Sequence, residues 1–497
     1  MKYLFFFTLA LVAFACGNSS TENAPTTTTT TSQGIPDYGP VIKMEDLRAK
    51  AEKPRIEVQV EGLNAGMAYL IGTYQEQNYR VDSAKIDASG KFVFEENGPY
   101  RLGLVYCVLP NNNNFQLLID QDQTFKIKTN VSNLAGSMQV EGSIDNEMLY
   151  QSLKFDDGQR PKLQVISGKM RGFPANSQEY KQAKQEQYQL MDERKAFLQG
   201  LYNQQPNSLF AKFKKAGQNP DVRDGYKPDG SLDTARFSYL YRTHFWDDVD
   251  FADERLLYTP VISNKLKRYM EELTAQNPDS IKASASFLVD RVLKYPEYYK
   301  YFANWITLKY EPTKTTLMDS EAVFVHMIQN YFTYDRAFWS DSVEVHGLQL
   351  RAFEMSKSLV GQKGPDVQAP DPNGKIHSIY EMKSDYIVVY MWNPDCEHCA
   401  EETPKLVQAY QGMKSQGIDV FGIAVNTEDA KWKSAISKYK MPWVNVMDPT
   451  NKAIYGKYFV DNTPEIYVLN PERTIIGKNL KADQIAVVID RDKKKRK

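Results

Sequence analysis

Cysteine and histidine are the scarce residues of this chain, with four cysteines (16, 107, 396 and 399) and five histidines among 497 residues. A structural zinc site wants a second pair of Cys or His at a spacing like that of Cys396 and Cys399, and Cys16 and Cys107 do not supply one. The histidines, at 244, 326, 346, 377 and 398, form no ligand cluster. A c-type haem attachment needs His directly after the second cysteine, where Ala400 stands. Charge of one sign is lacking too: a formal net charge of -1 with 25% charged residues creates no global field for nucleic acid or polyanions. Beyond residue 15 no apolar run is long enough to cross a bilayer. Asp247, Asp248 and Asp250 lack the alternating spacing and turn glycine of a calcium loop, and no internal repeat is visible. No metal, no cofactor and no nucleic-acid partner are expected.

What is present centres on Trp392-Asn393-Pro394-Asp395-Cys396-Glu397-His398-Cys399. It follows the unbroken apolar run Ile387 to Met391, which reads as a strand buried on both faces. Two cysteines two residues apart, where a strand hands over to a helix, can cycle between dithiol and disulfide. A purely structural disulfide is the alternative, but a bridge closing so short a loop gains little loop entropy. At a helix N-terminus Cys396 meets unpaired N–H groups and the macrodipole, which favour its thiolate by roughly 0.3–1 kcal/mol. An exposed Glu397 carboxylate opposes that by about 1 kcal/mol. With these nearly cancelling, His398 and hydrogen bonding are expected to set the acidity of Cys396, the attacking sulfur. Cys399, one turn further in, would be shielded and would resolve the mixed disulfide.

The first residues address the chain to an envelope. Met1-Lys2 and the apolar run Leu4 to Ala15 have the layout of an export signal (1–15). Ala13-Phe14-Ala15-Cys16-Gly17 resembles a bacterial lipobox, which implies lipidation of Cys16 and a membrane partner. Residues 16–53, rich in Thr, Ser and Pro, read as a flexible tether. The chain is therefore expected in the cell envelope, lipid-anchored and facing the periplasm.

Downstream, residues 54–146 alternate as short strands separated by turn residues, with Ile56, Val58 and Val60 on one face, as in an all-β sandwich-like domain. Cys107, inside one strand, reads as a small buried hydrophobe. Residues 147–356 shift to a helical period, as in Glu179 to Leu201. The aromatic block Phe237 to Phe251 there reads as core with a solvated acidic rim. Residues 357–490 run strand, helix, strand, helix, hairpin, helix, which implies a central mixed sheet flanked by helices. A short basic tail, 491–497, follows.

Residues 361 to 490, about a quarter of the chain, resemble the thioredoxin superfamily, and most closely its membrane-tethered TlpA/ResA-like thiol:disulfide interchange branch. The matching residues are Trp392, Cys396-Glu397-His398-Cys399, Glu402, Pro404 and Thr463-Pro464. The run Asp82 to Phe92 is similar to the small β domain that precedes such modules in many Gram-negative envelope lipoproteins. The resemblance implies protein thiol and disulfide substrates, an upstream electron-donor protein, and a cis-proline at Pro464. It also implies a substrate-binding surface at Thr463, Pro464 and Trp392, and redox tuning by Glu397 and His398. Many relatives carry an acid six residues before the first cysteine; here Tyr390 stands there, and Glu402, on the helical face of Cys399, is expected half-buried with a raised pKa as the proton shuttle. His398 tends toward an oxidising couple, while the Glu397 charge and the branch lean toward a reductase or isomerase. Two alternatives remain: a thiol peroxidase, against which Asn393 replaces the usual Thr three residues before the first cysteine, and a non-catalytic envelope binding or scaffold protein.

Overall fold

The computed structural model describes residues 35–227, 231–460 and 462–496, so the expected signal segment and Cys16 lie outside the described residues. Alternation along Arg55–Glu61 sends Ile56, Val58 and Val60 inward. That strand lies in a four-stranded sheet between Lys91–Glu95 and Thr124–Asn130, with Gln139–Glu141 outside the latter. A second sheet has the order Gln77–Ile86, Gly66–Tyr74, Gly103–Val108, Asn114–Ile119. The inner faces share one apolar core, so the N-terminal part is a two-sheet β domain. Cys107 is fully enclosed in that core, and burial holds its thiol well above the usual range.

The middle of the chain is helical, from Ile144–Gly172 to Ser342–Met355. The two long helices Ile144–Gly172 and Gln178–Gln204 lend Met148, Leu149, Leu198 and Leu201 to the β-domain core. The aromatic block is core only in its second half: Phe245, Trp246 and Phe251 are buried together in one apolar cluster, whereas no residue of helix Thr234–Thr243 is buried and Tyr239 is 67% exposed. Arg255 joins the two regions, donating to Asp253 and, at 2.7 Å, to Asp120 beyond the second sheet. Gly103 permits the close approach beside it, because a Cβ there would lie 2.4 Å from the Tyr258 carbonyl oxygen.

One expectation needs correcting. Residues 38–53 of the expected tether pack on the rest of the chain: Ile42 N–H donates to Ala252 O at 2.7 Å, and Met44 opens the helix Met44–Arg48 with its side chain buried. Val41, Ile42, Met44 and Leu47 supply the apolar surface that the preceding polar run lacks. Residues 491–495 of the basic tail belong to the last helix, Ile485–Lys495. Its lysines sit at the helix C-terminus, where the dipole favours positive charge, and Arg496 pairs with Asp492 and Glu472.

The C-terminal domain carries a five-stranded mixed sheet. Its central strand, Tyr386–Trp392, is parallel to Ile418–Val425 and antiparallel to Glu465–Leu469, with Val444–Asp448 and Ile475–Gly477 at the edges. Both faces of the central strand are covered. Val388, Tyr390 and Trp392 pack against helices Glu397–Lys414 and Ile485–Lys495, while Ile387, Val389 and Met391 face the segment around Ile454 and Tyr458. Each such buried apolar side chain contributes about 1.5–3 kcal/mol, which makes this strand a rigid platform for whatever stands at its end. The chain from Tyr38 onward packs as one compact unit.

Candidate active site

The central strand ends at Trp392, and the turn after it is built from local polar groups. Asn393 Oδ1 accepts from Asp395 N–H at 2.8 Å, and Asn393 O accepts from Cys396 N–H at 3.2 Å. Cys396 is then the N-cap of helix Glu397–Lys414, with extended backbone and its sulfur accepting from Cys399 N–H at 3.4 Å. A sulfur thus occupies the place where a serine or aspartate oxygen usually caps a helix. The segment around Thr463 closes the other side, its carbonyl accepting from Cys396 Sγ at 3.1 Å. The Thr463–Pro464 peptide is cis.

The two thiols differ sharply. At Cys396 partial burial pushes the thiol up, but hydrogen bonds from Cys399, from Thr463 and from the His398 amide outweigh it, and the thiol is held below its ordinary range. At Cys399 burial dominates: its thiol is pushed up to about 12, although the Asn393 amide donates to its sulfur at 3.4 Å. Cys399 is 1% exposed, whereas Cys396 is only partly buried. The geometry is that of one sulfur prepared to attack outward and a second held behind it.

Other expected residues fall in different places. Glu397 and His398 are both exposed, and the part of His398 that acts on Cys396 is its backbone amide. Hydrogen bonding rather than these two side chains therefore sets the nucleophile. Glu402 is buried and both its oxygens are engaged, Oε1 by Ala482 N–H at 2.6 Å and Oε2 by Lys405 Nζ at 3.2 Å. Trp392 does not reach the substrate surface where it was expected. It is fully enclosed, its ring parallel to that of Tyr390 with centroids 6.3 Å apart, because the strand's alternation turns it into the core. Tyr390, in place of a buried acid, bonds Thr403 Oγ1 at 2.7 Å, and Thr403 donates in turn to Cys399 O at 2.6 Å. The Asn393 amide, Thr403 and Ala482 were not legible as site residues, since no motif spacing marks them. Among the described residues no cluster of His, Cys, Asp or Glu could hold a metal.

Comparison with known proteins agrees with this geometry. Residues 360–481 match the AhpC/TSA family. Thiol-disulfide oxidoreductase ResA of Bacillus subtilis is 25% identical over 116 residues, 23% of this chain and 64% of its own length. The C-terminal domain is thioredoxin-like and similar to proteins of the TlpA/ResA type. It is also similar to the thioredoxin domain of a thiol-disulfide oxidoreductase from Bacteroides vulgatus, at 26% identity over 27% of this chain and 96% of that one, with TM-score 0.25. A thioredoxin-like protein from Bacteroides caccae covers 55% of this chain and 98% of its own, at 20% identity and TM-score 0.45. The chain thus spans less than two thirds of the curated ResA. Upstream of the thioredoxin-like domain, residues 55–149 and 231–345 match two domains of unknown function, DUF4369 and DUF5106.

Proposed function

We propose that this chain is a lipid-anchored thiol:disulfide oxidoreductase of the cell envelope, facing the periplasm, which acts on protein substrates as a reductase or isomerase. The observation that carries this reading is the asymmetry of two sulfurs on one helix N-terminus: Cys396 only partly buried with a lowered pKa, Cys399 buried with a raised one. In the reducing direction the Cys396 thiolate attacks a client disulfide. A Cys396–client S–S bond forms, the client's own S–S bond breaks, and the first client sulfur leaves as a thiolate that takes a proton from water. Cys399 then gives its proton to Glu402 and attacks Cys396 Sγ. The Cys396–Cys399 bond forms, and the second client sulfur leaves with that proton. The client gains two electrons, the pair is left oxidised, and a dithiol donor protein must reduce it again.

A peroxidase would use a hydroxyl three residues before the attacking cysteine, and the Asn393 side chain there is spent on Asp395 N–H and Asn426 O. Thr463 and Pro464 remain the substrate-docking backbone in this reading, and lipidated Cys16 the anchor. No helix of the described residues is long and apolar enough to cross a membrane. The test is a redox titration of the full chain together with Cys399→Ser trapping in the periplasm. A potential above about -300 mV and accumulation of client mixed disulfides are expected. A lower potential with no adducts would replace the enzyme by a scaffold with a structural bridge.

A further inference from the structure

The helix Ser342–Met355 buries one side and leaves the other bare. Val345, Ala352 and Met355 point inward and join the apolar core of the helical region. On the opposite side Val343, His346, Leu350 and Phe353 recur at helical spacing and are all exposed, Val343 at 79% and Phe353 at 57%. Tyr334, 64% exposed, meets this stripe through its hydroxyl, 3.2 Å from His346 Nδ1. Phe338, 58% exposed, stands in the turn that leads into the helix. Gly347 lies in the middle of the stripe, where an added Cβ would meet no described neighbour within 4 Å. Glycine costs a helix interior about 1 kcal/mol relative to alanine, and nothing described inside the chain requires it here.

An aromatic side chain carries about 150–250 Å², so Tyr334, Phe338 and Phe353 alone offer roughly 270–450 Å². That reaches the size of the largest patch a monomer ordinarily leaves bare. Val343, Leu350 and the flanking polar groups carry the face toward the roughly 800 Å² that each partner of a stable complex covers. Charge decides what fits over it. Among the exposed charges of residues 334–357, Asp335, Asp341 and Glu344 outnumber Arg336 and Lys357, which suits no anionic membrane surface. Asp341 and Glu344 stand at the helix start, and Lys357 just past its end, its Nζ 4.6 Å from the centre of the Phe353 ring. A second copy of the same helix laid antiparallel sets base over acid at both ends and opposes the two helix dipoles, whereas a parallel copy sets like charge on like. We infer that this face is a homodimer interface, in which two copies of Ser342–Met355 pair antiparallel about an axis between Gly347 and Leu350. Each Leu350 then fills the gap over Gly347 of the second copy, and each Lys357 comes within a turn of the second copy's Glu344. The helix also packs on Ile454–Tyr458, so the pairing fixes the spacing of the two thioredoxin-like domains.

The test is equilibrium sedimentation of the full chain in density-matched detergent, kept reduced so that no intermolecular disulfide forms. A reversible monomer–dimer equilibrium is expected between about 0.1 and 100 µM. Leu350→Lys, at an exposed position that spares the fold, should weaken dimerisation at least about hundredfold, the effect of losing a central anchor on both sides of the axis. Lys357→Glu should weaken it about tenfold, because the axis repeats each rim pair. Adding Glu344→Lys to Lys357→Glu should bring the affinity back to within about threefold of the original, as a direct pair does in a double-mutant cycle. A chain that stays monomeric throughout, a dimer that Leu350→Lys leaves intact, or a Lys357→Glu defect that Glu344→Lys deepens overturns the inference. Weaker binding of Leu350→Lys than of the unsubstituted chain to phosphatidylglycerol vesicles, with no dimer in either, assigns the face to a membrane surface and overturns it as well.

Discussion

Reduced protein exposed to iodoacetamide at pH 7 should lose Cys396 long before Cys399. The size of the difference follows from the site. Burial pushes the Cys399 thiol up to about 12, while hydrogen bonds hold Cys396 below the ordinary 9.0. Cys396 therefore carries at least about a thousandfold more thiolate, a difference of about 4 kcal/mol. A weaker base is also a weaker nucleophile, and with a Brønsted slope of about 0.4–0.5 the expected rate ratio shrinks to about 30–60. The near-complete enclosure of Cys399 widens it again. The assay is timed quenching followed by mass spectrometry of the two modified forms. Its pH profile carries the sign. A thiol whose folded pKa is depressed keeps its thiolate above that pKa and loses it as pH falls through it, so the midpoint of the Cys396 alkylation profile should lie below pH 9. A ratio under about five, or a midpoint at or above pH 9, would refute the hydrogen-bond account of Cys396.

Three further outcomes are expected. Glu402→Gln keeps an acceptor for Ala482 N–H but cannot take a proton, so resolution of a trapped mixed disulfide should slow by about a hundredfold with the melting temperature little changed; an unchanged resolution rate removes Glu402 from the chemistry. Glu321→Ala should destabilise the chain by about 3–5 kcal/mol in urea titration, because it strands Lys478, which is 1% exposed and pairs with Glu321 at 3.3 Å. A cost under about 1 kcal/mol would show that the pair does not hold the helical region to the thioredoxin-like domain. Cys107→Ala should leave disulfide exchange unaltered, since Cys107 lies in the β-domain core and not in the core of the redox pair; a changed potential would reveal a third redox sulfur.

Much of the active site was legible because its information is local. Cys396 and Cys399 are placed by a strand-to-helix switch within one short stretch, and the period of Ile387 to Met391 already declared a strand buried on both faces. Trp392 belongs to the motif that implied a substrate-binding surface, but motif membership says nothing about facing, whereas the strand's alternation, continued one more residue, turns it inward. The ordered segment 38–53 was missed for a related reason: composition averaged over the tether hid the few apolar residues at its end. Asn393, Asn426, Asn451 and Asn462, which line a small cavity with Thr463, carry no spacing signal at all. They come from four separate stretches of chain and meet only at the ends of neighbouring strands.

By itself the sequence determined most of the elements and placed the cysteine pair proposed as nucleophile and resolving thiol at a helix start, because periodicity, capping and the identity of a thiol act over a few residues. Tertiary structure decided how acidic each thiol is. The Thr463 side chain, whose hydrogen bond helps to lower the Cys396 thiol, lies 67 residues away. It also decided that the helical region reaches the thioredoxin-like domain, through Glu321 and Asn479, 158 residues apart. Burial and hydrogen bonding between such distant groups exist only once the sheet has set its register.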